Sequence, residues 1–174
     1  MGSKVARMGV ALDMEVVGYD PALSVEAAWK LPSQVQPASS IEELFRVSDY
    51  VSIHIPALPA TEKIINKDLF KESSQLSLLN FARHEVVNTD DVLQFLGTDS
   101  LRNFITDFPT PELIERANEY KDVILLPHIG ASTNQAEENC AVMAVNQITD
   151  FLETGNIKNS VNFPNVQLKR TTDY

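Results

Sequence analysis

The stretch VILLPHIGAS, residues 123–132, sets the fold class. A short apolar run, residues 123–126, ends in Pro127 and His128, and a loop of small residues then leads toward a long helical pattern. So short a run bounded by breakers predicts a strand buried on both faces, as in a parallel sheet. His128 then stands at the carboxyl end of that strand, where open α/β sheets collect their ligands. Two other strand-like runs also end in residues suited to chemistry: LSLLNFAR (76–83) at Arg83, and FITDFPTPE (104–112) leading to Glu112.

Working outward, strands alternate with helices. The spacing of Val5, Met8 or Gly9, and Leu12 predicts a helix over residues 2–14, with no strand before it. EVVGYDP (15–21) predicts a short buried strand that ends at Asp20 and is stopped by Pro21. Residues 22–40 suggest no more than a short helical turn. A capping box of Ser40 and Glu43 opens a helix to about Val47, followed by the strand DYVSIHIP (49–56). Beyond the loop ALPAT (57–61) come a short helix over 67–72 and the strand LSLLNFA (76–82). A helix capped by Asn88 then runs to Leu96, with Gly97 as its stop. The strand NFITDF (103–108), a polar helix over 112–120 and the strand at 123–127 follow. A second capping box, Ser132 with Gln135, opens a helix that ends at Gly155 and carries Ala136, Cys140, Met143 or Ala144, Ile148 and Phe151 on one face.

This alternation implies a doubly wound α/β fold with a parallel, Rossmann-like sheet. The first strand and most of a glycine-rich turn are lacking. Residues 1–155 form the domain, and 156–174 read as an extended arm or the start of a connection. A net charge of −10 supplies no basic stripe for nucleic acid or anionic membrane. No apolar run approaches the ~18 residues of a membrane span, and no signal-peptide core is present. The single Cys140 and the three scattered histidines lack metal-ligand spacing, so no metal is expected. The expected setting is cytoplasmic.

Asp20 follows Gly2 by 18 residues, which suits a ribose-binding acidic residue after the last glycine of a G-x-G-x-x-G turn. With no arginine immediately after it, a bound dinucleotide would be NAD rather than NADP. Taken alone, a turn aspartate before proline is the simpler account. Arg83 suits bidentate capture of a carboxylate, or equally a surface ion pair. His128 suits general acid–base chemistry, with an unperturbed pKa near ~6.5. Glu112 would orient that imidazole, or simply favour the first turn of a helix. His54 and His84 read as structural.

Together LLNFAR (78–83), TDFPTPE (106–112), LLPHIGASTNQAEENCAVMA (125–144) and NSVNFP (159–164) resemble the nucleotide-binding domain of the NAD-dependent D-2-hydroxyacid dehydrogenases. The resemblance runs in the family's order from Gly2 to about Pro164. It implies that Arg83 binds the substrate α-carboxylate and that Glu112 and His128 form the acid–base pair. Hydride would pass between substrate C2 and nicotinamide. It also implies cofactor contacts at Gly2, Asp20, Pro56, Phe81, Ala82, Arg83, Asp107, His128 and Gly130, with Asp107 toward the carboxamide. The implied substrate is a small anion of the 3-phosphoglycerate class, oxidised to 3-phosphohydroxypyruvate at the entry to serine synthesis. A full-length enzyme of this kind is expected to be a homo-oligomer. The chain departs from the pattern in retaining only Gly2 of the glycine-rich turn. His84 replaces the glycine after the arginine, where a positive φ would strain it by about 1 kcal/mol, and SSQLS (73–77) lacks a turn glycine. A non-catalytic remnant that keeps the fold and a dimer surface is the rival expectation.

Overall fold

The computed structural model describes residues 1–160, 162–164 and 166, so the end of the expected arm lies outside the described residues. The chain divides into two units, Met1–Pro127 and His128–Tyr174. In the first, helix α1 (Gly2–Ala11), strand β1 (Val17–Gly18), helix α2 (Val25–Ala28) and strand β2 (Gln36–Pro37) precede a longer alternation. That alternation runs α3 (Ile41–Val47), β3 (Tyr50–Ile53), α4 (Lys67–Glu72), β4 (Leu76–Asn80), α5 (Thr89–Phe95), β5 (Leu101–Thr106), α6 (Pro111–Glu119) and β6 (Val123–Leu125). In the second unit α7 (Asn134–Thr154) is the long helix.

Helices α2 to α7 begin where side chains replace the missing amide acceptors of a first turn, whereas α1 has no side-chain cap. Ser40 Oγ accepts from Glu43 N at 3.1 Å, and the Glu43 carboxylate reaches back to Ser39 N at 2.6 Å. Asn66, Asn88 and Thr110 cap α4, α5 and α6 in the same way. Gly97, at φ 77°, turns the chain after α5 in the left-handed region that favours glycine.

Strands β3, β4, β5 and β6 form a wholly parallel sheet in that sequential order. Val51, Leu78, Phe104 and Val123 make one cross-strand row, each at most 5% exposed. The next row, Ser52, Leu79, Ile105 and Ile124, points to the opposite face and is less covered, with Ile124 48% exposed. The phenylalanines of α3, α4 and α5 extend the core: Phe45 to Phe70 and Phe70 to Phe95 lie 6.4 and 5.8 Å apart between ring centroids, tilted contacts favourable for aromatic pairs.

The parallel sheet with flanking helices matches the expected class. Five local readings are corrected. The strand of 123–127 is shorter and buries one face only, because Ile124 is left exposed on the other. The buried strand expected at 15–20 is reduced to Val17–Gly18, half-buried at best. It pairs with β2 in a separate two-stranded sheet. Helix α1 stops at Ala11, because Asp13 adopts a left-handed φ of 57°. Helix α7 starts one residue late: Ser132 N bonds back to Ile129 O, and Thr133, not Ser132, caps by accepting from Ala136 N at 3.1 Å. The strand of 76–82 ends at Asn80, whose side chain turns the backbone out of the ladder.

Candidate functional site

Because β3 to β6 are parallel, their carboxyl ends share one edge, and Ile53, Asn80, Thr106 and Leu125 form its last cross-strand row. The residues immediately beyond this row are the ones that chemistry can use. After β3 come His54, Ile55 and Pro56. His54 Nε2 lies 3.0 Å from Ser52 Oγ, and a β-carbon on Gly2 would just touch the imidazole, 3.4 Å from Cδ2. The start of α1 therefore abuts the carboxyl end of β3. Partial burial holds the His54 imidazole below its ordinary value. The Pro56 carbonyl accepts from Thr61 Oγ1 at 2.7 Å, which ties down the loop after the strand.

After β4 the chain passes through Phe81, 41% exposed, and Ala82 to Arg83. Arg83 is extended (φ −153°, ψ 145°) and exposed, and its Nη1 donates to the Ala82 carbonyl at 2.7 Å. Among the described residues no carboxylate forms an ion pair with it. His84 then opens a single 3-10 turn, His84–Val86, without the positive φ that would strain it. Its ring lies 6.0 Å from that of Phe108, and its Nδ1 is 3.2 Å from the Glu85 carboxylate. The histidine in place of glycine is thus accommodated without strain.

After β5 comes half-buried Asp107, and then α6 with Glu112 in its first turn. Hydrogen bonds from its own amide and from the Thr110 hydroxyl hold the Glu112 carboxyl below the usual carboxylate range, so it stays ionised. Asp20 follows β1, where its exposed carboxylate accepts from Ala22 N at 2.9 Å and so also serves the turn at Pro21. Within the first unit, then, Pro56, Phe81, Ala82, Arg83 and Asp107 follow strand ends, with Glu112 on the helix after β5 and Gly2 at the start of α1 against His54. His128 and Gly130 belong to the second unit, exposed in the loop before α7, and a β-carbon added at Gly130 would meet no atom within 4 Å.

Two edge residues escaped the sequence reading, and His54, read there as structural, stands beside Gly2. Asn80, 1% exposed, accepts from Ala82 N at 3.1 Å and donates to the Arg83 carbonyl at 2.9 Å. Thr106, also 1% exposed, donates to the Asn80 carbonyl at 2.9 Å and accepts from Phe108 N at 3.2 Å. A signal for Asn80 existed: an amide closing an apolar run is disfavoured in strands and suited to bonding the backbone just ahead of it.

Comparison with known proteins gives this edge a context. The sequence profile described as "D-isomer specific 2-hydroxyacid dehydrogenase, NAD binding domain" matches residues 1–130. D-3-phosphoglycerate dehydrogenase of Haemophilus influenzae is 34% identical over 177 residues, covering 97% of this chain and 42% of that protein. The enzyme of the same name from Synechocystis is 30% identical, covering 94% of this chain and 30% of that one. The chain thus spans less than half the length of these relatives. Among solved structures, D-mandelate dehydrogenase of Rhodotorula graminis in its holo form superposes with a TM-score of 0.75 at 27% identity, covering 93% of this chain and 49% of the other. An NAD-complexed D-isomer specific 2-hydroxyacid dehydrogenase from Lactobacillus delbrueckii shares the fold at a TM-score of 0.77 and 22% identity, over 91% of this chain and 51% of its own. The chain belongs to the family of NAD-binding domains of the D-isomer specific 2-hydroxyacid dehydrogenases.

Proposed function

We propose that this chain is the nucleotide-binding part of an NAD-dependent D-2-hydroxyacid dehydrogenase, and that its substrate is 3-phosphoglycerate, oxidised to 3-phosphohydroxypyruvate. The observation that carries the reading is the shared carboxyl edge, where Pro56, Phe81, Ala82, Arg83 and Asp107 follow the strand ends of one parallel sheet and Gly2 lies against His54 just beyond β3. The two relatives named D-3-phosphoglycerate dehydrogenase favour this substrate.

The residues fit a dinucleotide in three respects. Helix α1 begins at Gly2 with no acidic residue in its first turn, leaving its amino end open to a pyrophosphate. The exposed Asp20 carboxylate after β1 suits ribose hydroxyls, and Asp107 suits the carboxamide. NAD, when bound, supplies the acceptor for the hydride leaving substrate C2. Arg83 binds and orients the substrate carboxylate by paired N–H donors. The resemblance gives the hydroxyl proton to the His128 imidazole and the role of its acidic partner to Glu112, whose carboxyl is kept ionised. A full-length enzyme would act as a homo-oligomer in the cytoplasm.

A second reading, a non-catalytic remnant, is favoured by the separation of β1–β2 from the four-stranded sheet. One titration distinguishes the two. Trp29, 85% exposed and the only tryptophan, is excited while NADH is added. Saturable energy transfer, competed by NAD and not by NADP, is expected. Its absence up to millimolar NADH, in protein folded by circular dichroism, overturns the enzyme reading for this polypeptide.

A further inference from the structure

The buried Asn80 lies in the last cross-strand row of the edge and belongs to no proposed ligand contact, yet every polar atom of its carboxamide is engaged with the loop that presents Arg83. Its Oδ1 accepts from Ala82 N at 3.1 Å, and its Nδ2 donates to the Arg83 carbonyl at 2.9 Å. Its own carbonyl is fixed from β5 by Thr106 Oγ1 at 2.9 Å. The two side-chain bonds close a small ring across residues 80–83, spanning the point where the backbone leaves the ladder. That ring holds Arg83 extended, with its Nη1 on the Ala82 carbonyl. We infer that Asn80 is a positioning residue: its carboxamide clasps the β4 exit and fixes the direction in which the Arg83 guanidinium meets a carboxylate. The inference rests on the proposed role of Arg83 and adds the residue through which that role is set.

The physical argument is one of preorganisation. An arginine side chain has many rotamers, and bidentate capture of a planar carboxylate needs one narrow orientation. An exposed loop supplies that orientation only where its backbone is held by satisfied, buried hydrogen bonds. Asparagine alone offers both an acceptor and a donor at this reach. Aspartate keeps the acceptor and loses the donor, facing the Arg83 carbonyl with a second oxygen.

The test uses the whole chain with NADH present and oxamate, a small planar carboxylate, as the probe. Asn80→Asp is expected to weaken oxamate about 10-fold or more while NADH affinity changes less than about twofold. In an Arg83→Lys background the same change should add less than about twofold, because an effect transmitted through Arg83 is non-additive with its replacement. Equal weakening in both backgrounds, or none in the first, overturns the proposal. Asn80→Ala is examined in parallel by amide hydrogen exchange. The Ala82 amide should exchange at least about 10-fold faster, with Leu78 and Phe104 unchanged. Unchanged Ala82 exchange, or loss of protection throughout β4 and β5, overturns it too. If wild-type protein with bound NADH takes up no oxamate, the role proposed for Arg83 fails, and the Ala82 exchange then decides whether the clasp exists.

Discussion

The segment 45–123 and helix α7 both carry apolar faces, and only the first buries one. Every hydrophobic residue in the core falls between Phe45 and Val123, whereas the 21 residues of α7 include no buried side chain. Ile148 and Phe151, on the apolar face of α7, are 59% and 52% exposed. What orders the end of that helix is polar. The Asp150 carboxylate accepts from Lys158 Nζ, from Thr154 Oγ1 at 2.8 Å and from Asn156 Nδ2 at 3.1 Å, and Gly155 closes the helix at φ 74°. The contrast teaches that helical periodicity records a capacity for burial. Burial itself needs an opposing surface, which the strands give α3, α4 and α5.

Replacement of Phe70 gives the largest expected effect. This ring is fully buried between Phe45 and Phe95, so Phe70→Ala should lose about 3–5 kcal/mol in denaturant unfolding. A loss below about 1 kcal/mol would mean that the three helices are not held by their shared aromatic contact. His84→Gly should cost about 0.4–1 kcal/mol, because the backbone there needs no positive φ, and the substitution frees the unfolded chain while removing the exposed contacts of the ring with Phe108 and Glu85. A gain in stability would place that residue in the left-handed region instead. Asp150 tests the polar side of the contrast. Its pKa is lowered from 3.8 to about 2, first by Lys158 and then by Thr154 and Asn156. A depressed carboxyl stabilises the folded form above its ordinary value and loses that contribution as pH falls through about 2. A carboxyl carbon titration by NMR should show the midpoint near 2, and a midpoint at 3.8 would dissolve the cluster. The smallest effect belongs to Phe151→Ala, below about 0.5 kcal/mol. A loss above about 2 kcal/mol would show that this face is covered in solution and would erase the contrast.

Much of the fold was legible because its signals are local. Capping residues Ser40 and Asn88, the glycine at 97 and the apolar strand runs act over three to five positions, and the structure follows them. What failed depended on neighbours. The continuous apolar run of VILLP gives no measure of how much surface covers each side, and Ile124 is left half-exposed. EVVGYDP has a strand's composition, yet strand length depends on a partner, and β2 supplies two paired residues. At the candidate site, Arg83 stood out because it ends an apolar run, whereas Asp107 was named only through the family resemblance. Asn80 and Thr106 escaped notice, because their importance lies in hydrogen bonds to the next strand or loop.

The sequential order β3, β4, β5, β6 bears on how the molecule comes into being. Ser77 meets Asn103 and Asn80 meets Thr106, each across 26 positions of sequence, and no strand of this sheet waits for a distant partner. Closing loops of such modest and repeated length keeps the entropy of ordering low at each step. The sheet can therefore grow by adding one strand and one helix at a time, in the direction of synthesis, each new unit docking on an edge already formed.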